Sequence, residues 1–396
     1  MRFLWLARDL PTRADTGAHI YSNGLIRALL GTGATGTLIS YAPAGMLAGT
    51  VSGLTIRSIP PPRCLRILSL FSTLQSDAFR LRSVRFTSLV EEELAERADV
   101  VIVDYFAMGW ILPVLAAAWR NAPTRPALVY ISHNYEPALR RQVAASAENP
   151  FLRQVLKLDA EKAARLDLRL ARAADLIIAN TDDDRHAYEK DVPFKPVLTL
   201  VPAYDGEITP TRPIDTSIPR RVVITGTFEW IAKQSALRRF VKAAEGPFRQ
   251  AGIELLVVGR GPQALFDELS AKSDICRFTG WVEDVRPYLR GARIGIMPDD
   301  VGGGFKHKYL YYIFAGLPIA TIRSQVAGLP VDIERDMIVR DSIGELVEAI
   351  VHMIDDAPLL NEMRERCWNA CATAFSWTER GVRLRQAIDA IGSHGE

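Results

Sequence analysis

A chain of 396 residues is too long for one average domain, so two are expected, each with its own core. Its 48% apolar and 24% charged content is that of an ordinary globular protein, and a net charge of +2 gives no reason to expect a nucleic-acid partner. Four cysteines, Cys64, Cys276, Cys367 and Cys371, form neither a disulfide framework nor a Cys-x-x-Cys zinc pair, which suits a reducing cytoplasm. Cys367 and Cys371 fall on one helix face and read as core thiols. No apolar run reaches the roughly 18 residues of a membrane span. The run Leu4-Trp5-Leu6-Ala7 ends at Arg8-Asp9 and is too short for a signal peptide.

Short apolar runs alternate with helical patterns along the chain. Strands are expected at 3–7, 37–41, 100–103, 127–131, 176–180, 197–201, 222–226, 254–259, 293–297 and 319–322. Such runs, separated by helices of about ten or more residues, form parallel sheets covered on both faces. That is the α/β, doubly wound pattern. The first strand enters a loop in which Asp15 and Thr16 suit the cap of the next helix, and His19 falls in that helix's first turn. Gly31-Thr32-Gly33-Ala34-Thr35-Gly36 matches Gly-x-Gly-x-x-Gly, but a helix precedes it and a strand follows. A dinucleotide fingerprint needs the reverse order, so this segment reads as a helix C-cap and loop.

Between Arg57 and Phe86 the basic residues are Arg57, Arg63, Arg66, Arg80, Arg82 and Arg85, against one acid, Asp77. Leu65, Ile67, Leu68, Leu70, Phe71, Leu74, Phe79 and Leu81 are interleaved with them. A basic amphipathic segment of this kind suits an anionic membrane surface, and equally a helix packed on its own domain with its arginines in water. Asp182-Asp183-Asp184 contains Asp-x-Asp, a metal-holding pattern elsewhere. Here it follows a strand and opens a helix, where first-turn acids satisfy free N–H groups for about 0.3–1 kcal/mol each. No metal site and no cofactor are expected. From Pro202 to Pro219 helical periodicity vanishes, so the expected division is a domain over 1–202, a linker over 203–219 and a domain over 220–376. Ligands of such sheets bind at the carboxyl ends of the strands.

The most informative stretch is Gly302-Gly303-Gly304-Phe305-Lys306-His307-Lys308, running on to Ala315-Gly316-Leu317-Pro318. It lies between the strand Ile294-Gly295-Ile296-Met297 and a helical pattern from Tyr309 to Phe314. Glycines at a strand-to-helix turn let backbone N–H groups approach an anion, and Lys308, expected about one turn inside the helix, adds a charge. This is a diphosphate cradle by design, although no P-loop Gly-Lys-Ser/Thr is present. A merely flexible turn is the other reading.

The same stretch resembles the donor-binding segment of GT-B glycosyltransferases, family four above all. Val222-Val223-Ile224-Thr225-Gly226-Thr227-Phe228-Glu229-Trp230 is similar to the glycine-ended strand opening that family's second domain. Leu255-Leu256-Val257-Val258-Gly259-Arg260-Gly261-Pro262 resembles its next strand and loop, and Phe278-Thr279-Gly280-Trp281-Val282 the segment beside the nucleobase. Phe375-Ser376-Trp377 is similar to the signature before the last helix, which in the family returns to the first domain, here over 377–396. The likeness is strong over 221–322 and loose before residue 95.

The resemblance implies two Rossmann-like domains facing each other across a cleft, and transfer of a sugar from a nucleotide donor, a uridine diphosphate sugar, to a glycan or lipid-linked acceptor. It implies donor contacts from Gly17, Gly226, Thr227, Lys233, Val282, Gly302, Gly303, Gly304, Lys308, Tyr311 and Tyr312, and a sugar contact from His133. Asp104 and Glu136 are the carboxylates expected to face the acceptor; an inverting enzyme needs one as a base. The glutamates that family four carries near Gly303 and Tyr311 are missing. The segment from Lys308 to Pro318 instead resembles the xanthan-pathway glucuronosyltransferase, which inverts where family four retains, so stereochemistry stays open. An epimerase on the same fold, or a sugar-nucleotide-binding scaffold without catalysis, are the alternatives.

Overall fold

The structure, a computed structural model, describes residues 1–11, 16–43, 51–120, 124–147, 149–208, 212–299 and 304–392. The chain divides into two compact units. The first is Met1–Asp205 with Gly303–Phe305 and Ser376–Glu396; the second is Gly206–Gly302 with Lys306–Phe375.

Among the described residues the first unit is built on seven parallel strands: β1 Arg2–Ala7, β2 Thr35–Tyr41, β3 Leu54–Ile59, β4 Val100–Asp104, β5 Ala127–Ile131, β6 Leu176–Ala179 and β7 Val197–Thr199. Their order is β3-β2-β1-β4-β5-β6-β7. Both faces of the central strands are apolar because successive side chains point to opposite faces. Leu4, Leu6, Val101, Val103, Leu128 and Tyr130 enter one core. Phe3, Trp5, Val100, Ile102, Val129 and Ile131 enter the other. The helix Trp377–Gly392 belongs to this unit. Its Trp377 ring lies 2.2 Å from where a Cβ on Gly24 would stand, so only a glycine there admits it.

Among the described residues the second unit has six parallel strands: β8 Arg221–Thr225, β9 Glu254–Val258, β10 Cys276–Phe278, β11 Ile294–Met297, β12 Ile319–Ile322 and β13 Ile338–Arg340. They run in the order β10-β9-β8-β11-β12-β13. Its core extends to Ile214 and Ile218, and Asn361 accepts a hydrogen bond from the Ile214 N–H at 2.8 Å. That part of the expected linker therefore packs as a piece of the second unit.

Three local readings resolve plainly. Gly31 caps the helix Gly17–Leu30, and β2 starts at Thr35, so the Gly-x-Gly-x-x-Gly match is a helix end and loop. Asp182, Asp183 and Asp184 form the first turn of the helix Asp182–Asp191, whose N-cap Thr181 accepts from the Asp184 N–H. Among the described residues no group of His, Cys, Asp and Glu is arranged to hold a metal ion. The stretch from Arg57 to Phe86 is not one amphipathic helix. Arg57 lies in β3, paired with Glu92 and Glu93, and is followed by a 3-10 helix Arg66–Phe71 and a short helix Ser76–Leu81. The prolines at 60–62 separate the strand from the helical turns.

Candidate active site

Each sheet reverses its strand order at its first strand: β1 lies between β2 and β4, and β8 between β9 and β11. Connections leave such a point on opposite faces, which opens a crevice beyond the carboxyl ends of the strands. Both groups of candidate residues sit at these ends.

In the first unit, Arg8 and Asp9 follow β1, Asp104 ends β4, and His133 follows β5. With Tyr105 and His19 they line one small cavity. A larger cavity of about 430 Å³ shares Arg8 and Asp9 and adds Tyr41, Asp77 and Arg80. His133 Nε2 is 2.6 Å from Asp104 Oδ1, and both side chains are buried. Asp104 Oδ2 accepts from the indole N–H of Trp5 at 2.9 Å, which fixes the carboxylate from behind. With Nε2–H committed to a carboxylate, a neutral His133 carries its lone pair on Nδ1.

The His133 turn is held on several sides. The rings of Tyr21 and Tyr105 meet the imidazole edge-on at 5.5 and 5.8 Å. Ser132 Oγ donates to the Asn134 carbonyl at 2.7 Å, and Asn180 Nδ2 donates to the His133 carbonyl at 2.6 Å. Gly304 clusters with this unit and has φ +65. A Cβ on it would lie 2.7 Å from the His133 carbonyl oxygen and 2.8 Å from Asn134 Oδ1. Tyr105 holds φ 84, an uncommon left-handed conformation for a bulky residue and one that costs about 1–3 kcal/mol. The Arg8 guanidinium lies 4.5 Å over its ring, and its hydroxyl accepts from Arg140 at 3.0 Å. Burial pushes the Asp9 carboxyl up, but hydrogen bonds from His19 and Arg8 outweigh it and hold it at about 2.

Glu136 is placed differently from the expectation. It opens the helix Glu136–Ala145, is buried, and accepts from Arg140 Nε at 2.7 Å. Burial raises its pKa, with Arg140 opposing. It lines neither cavity, because the Arg140 pair one turn along its own helix holds it; Asp104 is the carboxylate beside His133. Gly17 is an exposed first residue of the helix Gly17–Leu30; its neighbours Ala18 and His19 line the small cavity.

In the second unit, the turn after β8 is built by close approach. Gly226 follows Thr225, and a Cβ on it would lie 2.8 Å from Lys308 Nζ. A Cβ on Gly259 would meet the Gly226 carbonyl oxygen at 1.9 Å. Lys308 is the first residue of the helix Lys308–Phe314, not a residue one turn inside it. Burial draws its pKa down to about 8; Asp299 opposes this, and Lys233 and Lys306 add to it. Lys233 and Lys306 are thus cations close enough to Lys308 to disfavour its charged form. Thr227 and Lys233 are half-buried beside this turn.

Tyr312 does not fit a donor contact. It is fully buried, and its hydroxyl accepts from the Thr225 N–H at 2.9 Å. Its ring fills the space where Gly295 lacks a side chain, 2.7 Å from an imagined Cβ. Tyr312 thus supports the turn from beneath. Tyr311, the preceding residue of the helix, is half-buried, as is Val282 next to the exposed Trp281. Gly302 and Gly303 lie outside the described residues. Trp5, Arg8, Asp9 and Tyr105 were not among the expected site residues. Their signal was position alone: Arg8, Asp9 and Tyr105 follow strand ends at the order reversal, and Trp5 lies within β1.

Residues 219–356 match the family model described as glycosyl transferases group 1. No curated protein matches the chain. Among solved structures, a sucrose-phosphate synthase from Thermosynechococcus elongatus aligns with TM-score 0.72 and 16% identity, covering 100% of both chains. Anabaena HepE in complex with UDP and glucose aligns with TM-score 0.67 and 13% identity, covering 98% of this chain and 99% of that one. Staphylococcus aureus TarM, in complex with UDP and α-GlcNAc-glycerol among others, aligns with TM-score 0.68 and 7% identity over 98% and 99%. Identities this low speak for the fold alone: two parallel-sheet α/β domains of the GT-B kind.

Proposed function

We propose that the chain is a glycosyltransferase that moves a hexosyl or uronosyl group from a uridine diphosphate sugar to a glycan or lipid-linked acceptor in cell-surface polysaccharide assembly. The observation that carries this reading is Lys308, poised 2.8 Å from the missing Cβ of Gly226 with Lys233 in electrostatic reach, inside the region that matches the glycosyl transferase model. HepE and TarM hold UDP, which supports the choice of nucleotide.

As the glycosidic bond breaks, the diphosphate gains negative charge. The Lys308 ammonium, with Lys233 in electrostatic reach, stabilises that charge, and does so without a metal. In the first unit, Asp104 orients His133 and stabilises the imidazolium formed when Nδ1 takes a proton. His133 is then the general base for the acceptor hydroxyl, and the larger cavity beside Arg8 and Asp9 takes the acceptor. A base acting directly on the acceptor implies inversion at the anomeric carbon.

Incubation with labelled UDP-sugars and analysis of the products tests the reading. Transfer or hydrolysis with an inverted anomeric centre is the expected result. Epimerised sugar, or binding without turnover, would replace it with an epimerase or a scaffold, the latter favoured by the missing glutamates at Tyr311 and near Gly303.

A further inference from the structure

Behind the His133 turn lies a buried carboxyl group that pairs with no cation among the described residues. It is Asp167, on the helix Pro150–Ala173, and it is fully buried. Its partners are two fully buried tyrosines. Tyr130, on β5, meets Asp167 Oδ1. Tyr188, on the helix Asp182–Asp191, places its hydroxyl 2.9 Å from both carboxyl oxygens. The same hydroxyl lies 2.8 Å from Ser132 Oγ, and Ser132 Oγ donates to the Asn134 carbonyl at 2.7 Å. These contacts run unbroken from the helix to the turn that carries His133.

A count of protons decides their direction. The chain has four contacts, Tyr130 with Asp167, Asp167 with Tyr188, Tyr188 with Ser132 and Ser132 with Asn134, yet Tyr130, Tyr188 and Ser132 supply only one hydroxyl proton each. A carboxylate adds none, so one buried pair of oxygens would meet without a proton, a loss of about 1–3 kcal/mol. A carboxylic acid adds the missing one. Tyr130 then donates to Oδ1, Oδ2–H donates to Tyr188, Tyr188 to Ser132, and Ser132 to the Asn134 carbonyl. Burial acts in the same sense and raises the Asp167 pKa well above the ordinary carboxyl value. The hydrogen bonds from Tyr130 and Tyr188 oppose it, and the nearby carboxyls of Glu136 and Asp184 add to it. We propose that Asp167 is a neutral carboxylic acid and a positioning residue, whose chain of hydrogen bonds through Tyr188 and Ser132 holds the turn that aims His133 at Asp104. Asn180, bonded to the His133 carbonyl, and Asp184, which accepts from the Tyr135 N–H at 3.1 Å, hold the backbone of the same turn. The catalytic consequence rests on the proposed role of His133; the protonation of Asp167 does not.

Infrared spectroscopy, hydrogen exchange read by mass spectrometry and steady-state kinetics on the full chain test it. At neutral pH the wild type should show a carboxylic-acid carbonyl band that Asp167→Asn lacks. Asp167→Leu removes both the acceptor and the donor. It should speed exchange over residues 132–135 and lower kcat by up to about 100-fold, the cost of misplacing a reacting group by about 1 Å. UDP affinity should stay at the wild-type value, because Lys308 belongs to the second unit. Asp167→Asn keeps one acceptor and one donor in the same shape and should rescue both exchange and kcat. Ser132→Ala cuts the chain at its far end and should repeat the leucine result, so the test stands even where Asp167→Leu does not fold. An asparagine variant as impaired as the leucine one would show that the turn needs a carboxylate, and would overturn the proposal. So would absence of the infrared band, or wild-type exchange and turnover in Ser132→Ala. Wild-type turnover in His133→Ala would withdraw the catalytic reading alone, since the band and the exchange rates do not depend on transfer.

Discussion

The Lys308 ammonium lies 2.8 Å from the point where a Cβ on Gly226 would stand, so the turn after β8 leaves room for one cation and no side chain. Removing the cation should remove a charge-assisted contact worth about 1.5–3 kcal/mol. Lys308→Ala should then weaken UDP binding by roughly 10- to 150-fold, at about 1.4 kcal/mol per decade. Calorimetric titration measures it, with thermal unfolding as the check that folding is unchanged. An unaltered UDP affinity would withdraw the diphosphate assignment.

The same lysine gives an expected pH dependence. Its pKa in the free protein is drawn down to about 8, by burial first and by Lys233 and Lys306 after it. A bound diphosphate favours the protonated form and raises that pKa. Affinity should therefore be full below about pH 8 and fall above it, approaching about tenfold per pH unit, the limit for one linked proton. Lys308→Arg keeps its charge through this range, so its affinity should be flat there. A wild-type titration that is equally flat would show that Lys308 is not the group sensing the anion.

His133 and Asp104 should behave as one device, because Asp104 reaches the reaction through the imidazole. His133→Ala is expected to lower transfer about 10²- to 10⁴-fold, the range of general acid–base catalysis, and to leave UDP affinity nearly intact. Asp104→Asn should lower transfer as well, and the double variant should be little worse than His133→Ala alone. Independent, additive losses in steady-state turnover would separate the two roles. Wild-type turnover in His133→Ala would make the histidine structural.

The central strands were legible because β1, β4, β5, β8 and β9 are apolar on both faces and bounded by helical patterns. The strands that were missed, β3, β10 and β13, lie at sheet edges, although the fourth edge, β7, was found. β3 carries Thr55 on an exposed position and Arg57 and Ser58 on half-exposed ones, and β10 and β13 are short, so hydrophobic runs do not mark them. Within the site, Asp104 and His133 could each be found as strand-end residues, but their pairing depends on β4 lying beside β5. Glu136 and Arg140 stand four apart on one helix, a spacing that announces a salt bridge and could have removed Glu136 from the acceptor candidates. Tyr312 shows the opposite limit. A tyrosine after a glycine-rich turn reads the same whether its hydroxyl meets a ligand or, as here, the Thr225 N–H.

The close approach of Gly259 to Gly226 should decide the stability of the second unit. At Gly259 the backbone has φ +128, and a Cβ would fall 1.9 Å from a backbone oxygen that no rotamer change can move. Overpacking against rigid neighbours costs about 1–3 kcal/mol. A forbidden φ for an L-residue adds about 1–3 kcal/mol more. Gly259→Ala should therefore destabilise the second unit by at least about 2 kcal/mol and impair UDP binding, since the shifted carbonyl belongs to the Gly226 turn. Gly344 supplies the control. It lies in the helix Ile343–Met353 with nothing within 4 Å of its imagined Cβ, so Gly344→Ala should be neutral or stabilising by up to about 1 kcal/mol. Differential scanning calorimetry with and without UDP compares the two. Equal stability of the Gly259 and Gly344 variants would mean that the β8 and β9 turns can part without loss, and that the nucleotide pocket does not depend on their contact.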